Sequence, residues 1–596
     1  MKNYRYSILA LSFIFVFLLS VFFYFDIWNA NRIIVDVPSY YTYLPAFIIH
    51  HDLHLDYIDK DPSFYQDKVW YYKVEGGRKL IKHPLGISAV LSPFFLIGHW
   101  IAGMKGDFQD GYSMPYQNAL SFGVLFYLFT GIFFLRKILL GYFSDKVTAF
   151  TLIAVVLGTN LLWYSTFEAL MPHAISFSLW CAAIYFFFNW LETQAEKFIL
   201  LFGIVFGLIV LIRPLSIISI LFFLIYGIIR LGGLKTFIIF LKPKWKIIIP
   251  ATFISFSIVS LQLFYWKYST GKWFYDPYIN EHFIFKSPQV FPFLFSFRKG
   301  LFIYTPVMVF AIIGLVQLRK LHRALLYSTV FFMAVTVFLL ASWWAWSYGF
   351  CWGMRPMIDY YALLSIPMAA GFNELLKRST FTRIIFYTSV SLFIFLNLFQ
   401  TWQYKNGLIH YDDMSREAYF KGFFQTEISA EWLDLLKPYD WDRRIKGLPQ
   451  IDYSKSIFDQ IPMDQNICFK GSNFKYVIVN HKALNAMASL SDVKNEQEES
   501  FHIMHLNDST LCISSEEKLL WSLRTDYSNA ITASATSIGV FEKFIIVYPD
   551  ADDNKIAIKA ANGKYITIGS QWPFILTANS ESISRNEIFR YFLITN

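Results

Sequence analysis

Twelve apolar runs of about twenty residues divide the first 400 positions, near 8–27, 84–102, 116–135, 146–164, 173–191, 197–212, 215–230, 247–265, 301–317, 323–342, 358–374 and 382–401. A helix needs ~20 mostly apolar residues to cross the hydrocarbon core of a bilayer. Composition agrees: of 596 residues, 55% are hydrophobic, 20% aromatic and only 16% charged. That balance excludes an ordinary soluble globular chain and points to a polytopic membrane protein. The net charge of +9 does not mark a nucleic-acid partner, because Lys and Arg gather in short clusters between the apolar runs, as in cytoplasmic loops. The four cysteines, Cys181, Cys351, Cys468 and Cys512, have no metal-ligand spacing and are too few for a disulfide scaffold. The N-terminal run lacks a small-residue cleavage site and reads as a retained signal anchor.

Orientation follows from the basic residues. Lys2 and Arg5 place the N-terminus in the cytoplasm. If the run 84–102 crossed back, the basic loops 136–146, 230–246, "QLRKLHR" and "LLKRSTFTR" would all face outward. Keeping that run in the outer interface, or letting it re-enter, makes all four cytoplasmic. Its Pro84, Gly86, Pro93, Gly98 and His99 suit an interfacial segment better than an ordinary span. The expectation is therefore about eleven spans, with 28–115, "YSTFEALMPH", Arg213-Pro214, 267–300, "WWAWSYGFCWGMRPMIDY" and everything after about 402 on the outer side of the cytoplasmic membrane.

The outward segments carry unusual ionisable groups: Asp36, Lys82, His83, Glu168, His173, Arg213, Asp276, Glu281, His282 and Arg355. Charges at that depth are costly unless they face a cavity or one another, so they are functional candidates. An ionised Asp36 just past the first span can take a proton from a hydroxyl. Lys82 is a compact cation suited to phosphate, and Arg213 and Arg355 can add charge-assisted bonds to a phosphate or diphosphate. His83 neighbours Lys82, and His173 stands five residues after the second acid, Glu168. Trp346, Tyr348 and Trp352 lie in an aromatic run whose faces suit sugar rings, although Trp and Tyr also concentrate at membrane interfaces without any ligand.

The last 130 residues change character. "NICFKGSNFKYVIV", "STLCISSEEKLLWS" and "NKIAIKAANGKYITI" open three units; Ile467, Leu511 and Ile556 recur at intervals of 44 and 45, and Phe501, Phe544 and Phe589 at 43 and 45. Period-2 alternation inside each unit predicts strands, and three such units predict a closed threefold β architecture. "ITASATSIGVFEKF" and "IAIKAANGKYIT" resemble the fascin-type β-trefoil over residues 462–596. Cys468 and Cys512 occupy equivalent repeat positions, which leaves their pairing open outside the cell. The expected domains are 1–401, a connection over 402–461, and 462–596.

The order "D-x-x-x-Y" after the first span, "K-x-P-L" at the next apolar segment, and an acid followed by proline before the fourth span resembles the GT-C integral membrane glycosyltransferases. Within that group the pattern is similar to that of the protein O-mannosyltransferases and the lipid A aminoarabinose transferases. The resemblance implies Asp36 as catalytic base, Lys82 as binder of the donor phosphate, and Glu168 as the second acid that positions acceptor or metal. It implies a polyprenyl-phosphate-sugar donor and a glycan, lipid or protein acceptor, and leaves open a divalent cation, Mg or Mn, held by Asp36 and Glu168. The chain departs from the pattern in "KHP", where many relatives have two prolines, and in its single acid at Asp36. Two alternatives stand beside it: a transporter or flippase of lipid-linked glycans, and a membrane-anchored glycan-binding protein.

Overall fold

The structure, a computed structural model, describes residues 4–427 except 66, 75, 76 and 280; then 429, 432, 435–437, 439 and 441–445; and 466–593 except 472–475, 481–486, 492–499, 507–510, 516–517, 526–528, 548–554, 569–575 and 584. Positions 446–461 of the expected connection lie outside the described residues. The chain divides into two compact units, Met1–Pro438 and Tyr439–Asn596.

The first unit is helical. Among the described residues, seven helices are long and apolar enough to cross a membrane: Arg5–Tyr24, Gly86–Lys105, Met114–Tyr142, His173–Thr193, Leu234–Thr270, Arg323–Ser342 and Thr380–Lys405. Six of these match expected spans. The other five expected spans are short or interrupted: 146–164 breaks after Leu157, 197–212 is a 17-residue helix, and 215–230, 301–317 and 358–374 begin in 3-10 turns or one-turn helices. The count of eleven is therefore not met by long unbroken helices. Gly86–Lys105 is the seventh, and its Pro93 is accommodated inside a continuous helix rather than breaking it. Both flanks of that helix return to the segment bearing Asp36: the His83 amide donates to Ser39 Oγ at 3.2 Å, and the Tyr41 hydroxyl donates to the Gly111 carbonyl.

His173–Thr193 is the central helix, with 89% of its apolar window covered by protein, whereas only 11% of that in Leu234–Thr270 is covered. The second value marks a helix whose apolar surface needs a nonpolar surrounding. Close packing there relies on small residues. A Cβ on Gly203 would lie 2.5 Å from the Ala251 carbonyl oxygen, and one on Gly207 would lie 3.0 Å from Ser255. Their four-residue spacing lets Glu196–Ile212 approach Trp245–Thr270 backbone to backbone, and Ser255 Oγ donates to the Gly203 carbonyl at 2.5 Å. Residues 408–427 fold back on the helices: Gln403 Nε2 donates to the Gly422 carbonyl, and Arg298 pairs with Asp413.

The second unit is all β. Each of three repeats contributes four strands: Asn466–Gly471, Tyr476–Asn480, Met487–Ser491 and Phe501–His505; Leu511–Ser515, Leu520–Arg524, Ala530–Ala535 and Ile545–Val547; Lys555–Lys559, Tyr565–Ile568, Leu576–Ser580 and Ile588–Leu593. The first and last strands of the repeats close into a ring, and the middle hairpins meet through Met487–Thr532 and Thr577–Ala530 pairings. That is β-trefoil topology. The repeated residues found in sequence become one repeated contact: Ile467 pairs with Phe501, Leu511 with Phe544, and Ile556 with Phe589. All six side chains are buried in the common core. Cys468 and Cys512 are buried, each on its own strand, and no disulfide joins them, which answers the pairing the sequence left open.

Candidate functional site

Asp36 stands at the N-cap position of the short helix Val37–Tyr41, next to Pro38. Its carboxylate accepts no cap hydrogen bond from that helix. It instead meets Arg355, with Oδ2 2.9 Å from Nη1, while Arg355 Nη2 donates to the Tyr348 carbonyl at 2.9 Å. Val35 and Tyr348, one on each side of this pair, have φ of 55° and 63°. A β-branched residue rarely adopts left-handed backbone, and such strain persists only where surrounding structure enforces it. Burial, the largest single influence, works to raise the pKa of Asp36, but the charge and hydrogen bond of Arg355 together with His83 and Lys82 outweigh it and hold the carboxyl below the ordinary carboxylate value.

Lys82 reaches the same region from the turn before Gly86. Its ammonium is ion-paired with Glu281 and lies 4.8 Å from the centre of the Tyr278 ring. Glu281 also accepts from Trp344 Nε1 at 3.3 Å. His83 stacks on Tyr40, with ring centres 4.2 Å apart, and burial pushes its pKa down to about 4, so the ring is neutral at pH 7. Its buried Nδ1 has no hydrogen-bond partner among the described residues.

Glu168 follows the break at Gly158 and the short helix Leu161–Ser165. Burial raises its carboxyl pKa to about 7, and Oε2 has no hydrogen-bond partner among the described residues. Arg355 and Asp36 both act on it electrostatically.

His173 and Arg213 join a partner that sequence reasoning missed. Asp359 is buried, with Oδ1 3.1 Å from His173 Nδ1 and Oδ2 2.9 Å from Arg213 Nε. The signal was present in "RPMIDY": an acid four residues after Arg355, at the mouth of the apolar run. Lys299 was missed as well. Its buried ammonium donates to the carbonyls of Cys351 and Tyr411 and fixes the loop that leads into Arg355. Of the aromatic candidates, Tyr348 is half-buried, while Trp346 and Trp352 are buried. Trp352 packs against Tyr304 and Tyr404, so its ring forms part of the wall behind the charged groups.

Among the described residues, no group of three or more His, Cys, Asp or Glu side chains is placed to hold a metal ion. Asp36 and Glu168 alone do not make a cation cage, and Arg355 already answers the charge of Asp36. What the arrangement offers is a set of fixed anions and cations from separate segments, with an ionised carboxylate able to accept a proton and an ammonium and guanidinium groups able to bind an anion.

No protein-family model matches the sequence, and no curated protein sequence matches it. Among solved structures, the chain is similar to the S. cerevisiae protein O-mannosyltransferase Pmt1-Pmt2 complex bound to the sugar donor, at 10% identity and a TM-score of 0.23, over 86% of this chain and 56% of that one. It is also similar to the designed threefold-symmetric protein ThreeFoil, at 12% identity and a TM-score of 0.20, over 22% of this chain and 99% of that one. A third likeness is to the BEL β-trefoil, at 10% identity and a TM-score of 0.21, over 23% and 99%. Likeness at this level assigns neither a family nor an activity.

Proposed function

We propose that the chain is a membrane glycosyltransferase of GT-C type, which passes a sugar from a polyprenyl-phosphate donor to a hydroxyl-bearing acceptor at the outer face of the cytoplasmic membrane. The observation that carries this reading is the Asp36–Arg355 pair: an acid at a helix N-cap that declines the cap and faces a guanidinium instead. Asp36 takes the proton of the acceptor hydroxyl as its oxygen attacks the anomeric carbon. The bond from that carbon to the phosphate oxygen breaks, its electron pair leaves with the polyprenyl phosphate, and the configuration inverts. Lys82, His83, Arg213 and Arg355 receive the phosphate, whose charge competes with Glu281 for Lys82. Glu168 orients the acceptor, with His173, Trp346, Tyr348 and Trp352 as the surrounding candidates. The acceptor is a glycan, lipid or protein, and the trefoil is proposed to hold a neutral polar ligand such as a glycan.

Transfer of radiolabelled sugar from synthetic polyprenyl-phosphate sugars by purified wild type, and its loss in Asp36→Asn, tests the reaction. Near wild-type transfer by Asp36→Asn would return Asp36 to a structural role. The orientation is tested separately by cysteine labelling of intact cells. Position 168 is expected to react from outside and positions 137 and 320 only from inside; a position 168 that reacts only from inside would overturn both orientation and site.

A further inference from the structure

The six-residue turn Arg355–Tyr360 carries two charges of opposite sign, and each is matched by a charge from elsewhere in the chain. Arg355 meets Asp36, and Asp359 meets Arg213. All four act electrostatically on Tyr40, which places both pairs around one side chain. The second pair differs from the first in its enclosure. The Asp359 side chain is 2% exposed and that of His173 1%, whereas Arg213 is 25% exposed.

Asp359 uses both oxygens inward. Oδ1 lies 3.1 Å from His173 Nδ1 and Oδ2 2.9 Å from Arg213 Nε, and this enclosure keeps the carboxylate from an incoming hydroxyl. Arg213 Nη2 lies 3.1 Å from His173 Nδ1 and 3.3 Å from its Nε2, so the imidazole and the Asp359 carboxylate flank the guanidinium together. The Arg213 guanidinium is thus flanked by two buried side chains, His173 at the start of a helix and Asp359 in the turn Arg355–Tyr360. Flanking on two sides orients the guanidinium plane, and a planar guanidinium rewards such fixing more than a flexible ammonium does.

From this we infer that Asp359 is a positioning residue: through its ion pair with Arg213 and its contact with His173, it fixes the Arg213 guanidinium to bind the anionic phosphate of the substrate. This rests on the proposed donor reading and adds a residue and a mechanism to it. Asp359 itself touches no reacting atom.

The test is equilibrium binding of a synthetic polyprenyl phosphate to the purified full chain in detergent, alongside sugar transfer. Asp359→Asn is expected to raise Kd about tenfold, Arg213→Ala by a similar factor, and the double variant no further than either, because both act through one guanidinium. Arg213→Lys, which keeps the charge and loses the fork, is expected to weaken binding to a comparable extent and needs no change at the buried position. Asp359→Glu is expected to restore part of the affinity, and kcat at saturating donor is expected to change much less than KM. Wild-type affinity in a folded Asp359→Asn, or multiplicative losses in the double variant, would overturn the inference while leaving the donor reading intact. Wild type that binds no polyprenyl phosphate would overturn the donor reading, and this inference with it.

Discussion

The two units of this chain are specified in opposite ways. In the β unit one contact is written three times, Ile467–Phe501, Leu511–Phe544 and Ile556–Phe589, and each copy sits in the same buried core. In the helical unit the charged face is written once, by residues as distant as Asp36 and Arg355, or Lys82 and Glu281. Repetition makes the trefoil legible because identical short segments must solve identical packing problems. A site of charge pairs has no such redundancy: each partner is fixed by how separate helices happen to place their ends. One region therefore tolerates loss locally, in its core, while the other concentrates its consequences in single side chains.

The largest expected effect tests that concentration. Asp36→Asn is expected to lower sugar transfer by about 10²–10⁴-fold, the usual consequence of removing a general base. Its helical content and the unfolding transition of the β unit are expected to stay as in wild type, measured by circular dichroism and calorimetry. Next, Phe544→Ala removes one of three equivalent core rings. Loss of a buried Phe is expected to destabilise the β unit by about 3–5 kcal/mol, seen as a lower midpoint in denaturant, with polyprenyl-phosphate affinity unchanged. Phe589→Ala is expected to match it because the contact is repeated; clearly unequal losses would break the equivalence drawn from the repeat.

Lys82→Ala is expected to raise the donor KM by about tenfold or more with little change in kcat, since a charge-assisted bond is worth about 1.5–3 kcal/mol. A fall in kcat alone would move Lys82 from binding to chemistry. The smallest effect sharpens the role of burial. Glu168 has its pKa raised from 4.5 to about 7 by desolvation, so the folded state holds its proton more tightly than the unfolded chain. Its contribution to stability is full below about pH 4.5 and is lost as pH rises through about 7. Glu168→Gln carries no such charge, so its Tm is expected to exceed that of wild type at pH 8 by a few degrees, with the difference closing toward pH 4.5. A pH-independent difference would show that folding leaves the Glu168 carboxyl at its ordinary pKa, and a variant less stable than wild type at pH 8 would show that the carboxylate is paired rather than merely buried.

Composition and hydropathy alone determined that most of the chain is apolar helix, because a run of about twenty nonpolar residues has few other stable states. The 44-residue interval determined the trefoil, down to which Ile and Phe are buried. The outward list of ionisable residues already contained both partners of the Asp36–Arg355 and Lys82–Glu281 pairs, since charges stranded at helix ends are conspicuous against apolar sequence. Pairing itself was decided by tertiary structure. Nothing in "KHP" shows that Lys82 meets an acid about 200 residues later, and nothing in "RPMIDY" shows that Asp359 turns inward to His173 and Arg213. The breaks that left five expected spans short, and the continuity of Gly86–Lys105 through Pro93, were likewise decided by packing. The physical reason is range. Burial preference acts on each residue by itself and is read along the chain, whereas the ion pairs and hydrogen bonds that build this face need partners at contact distance and exist only once the helices have brought their ends together.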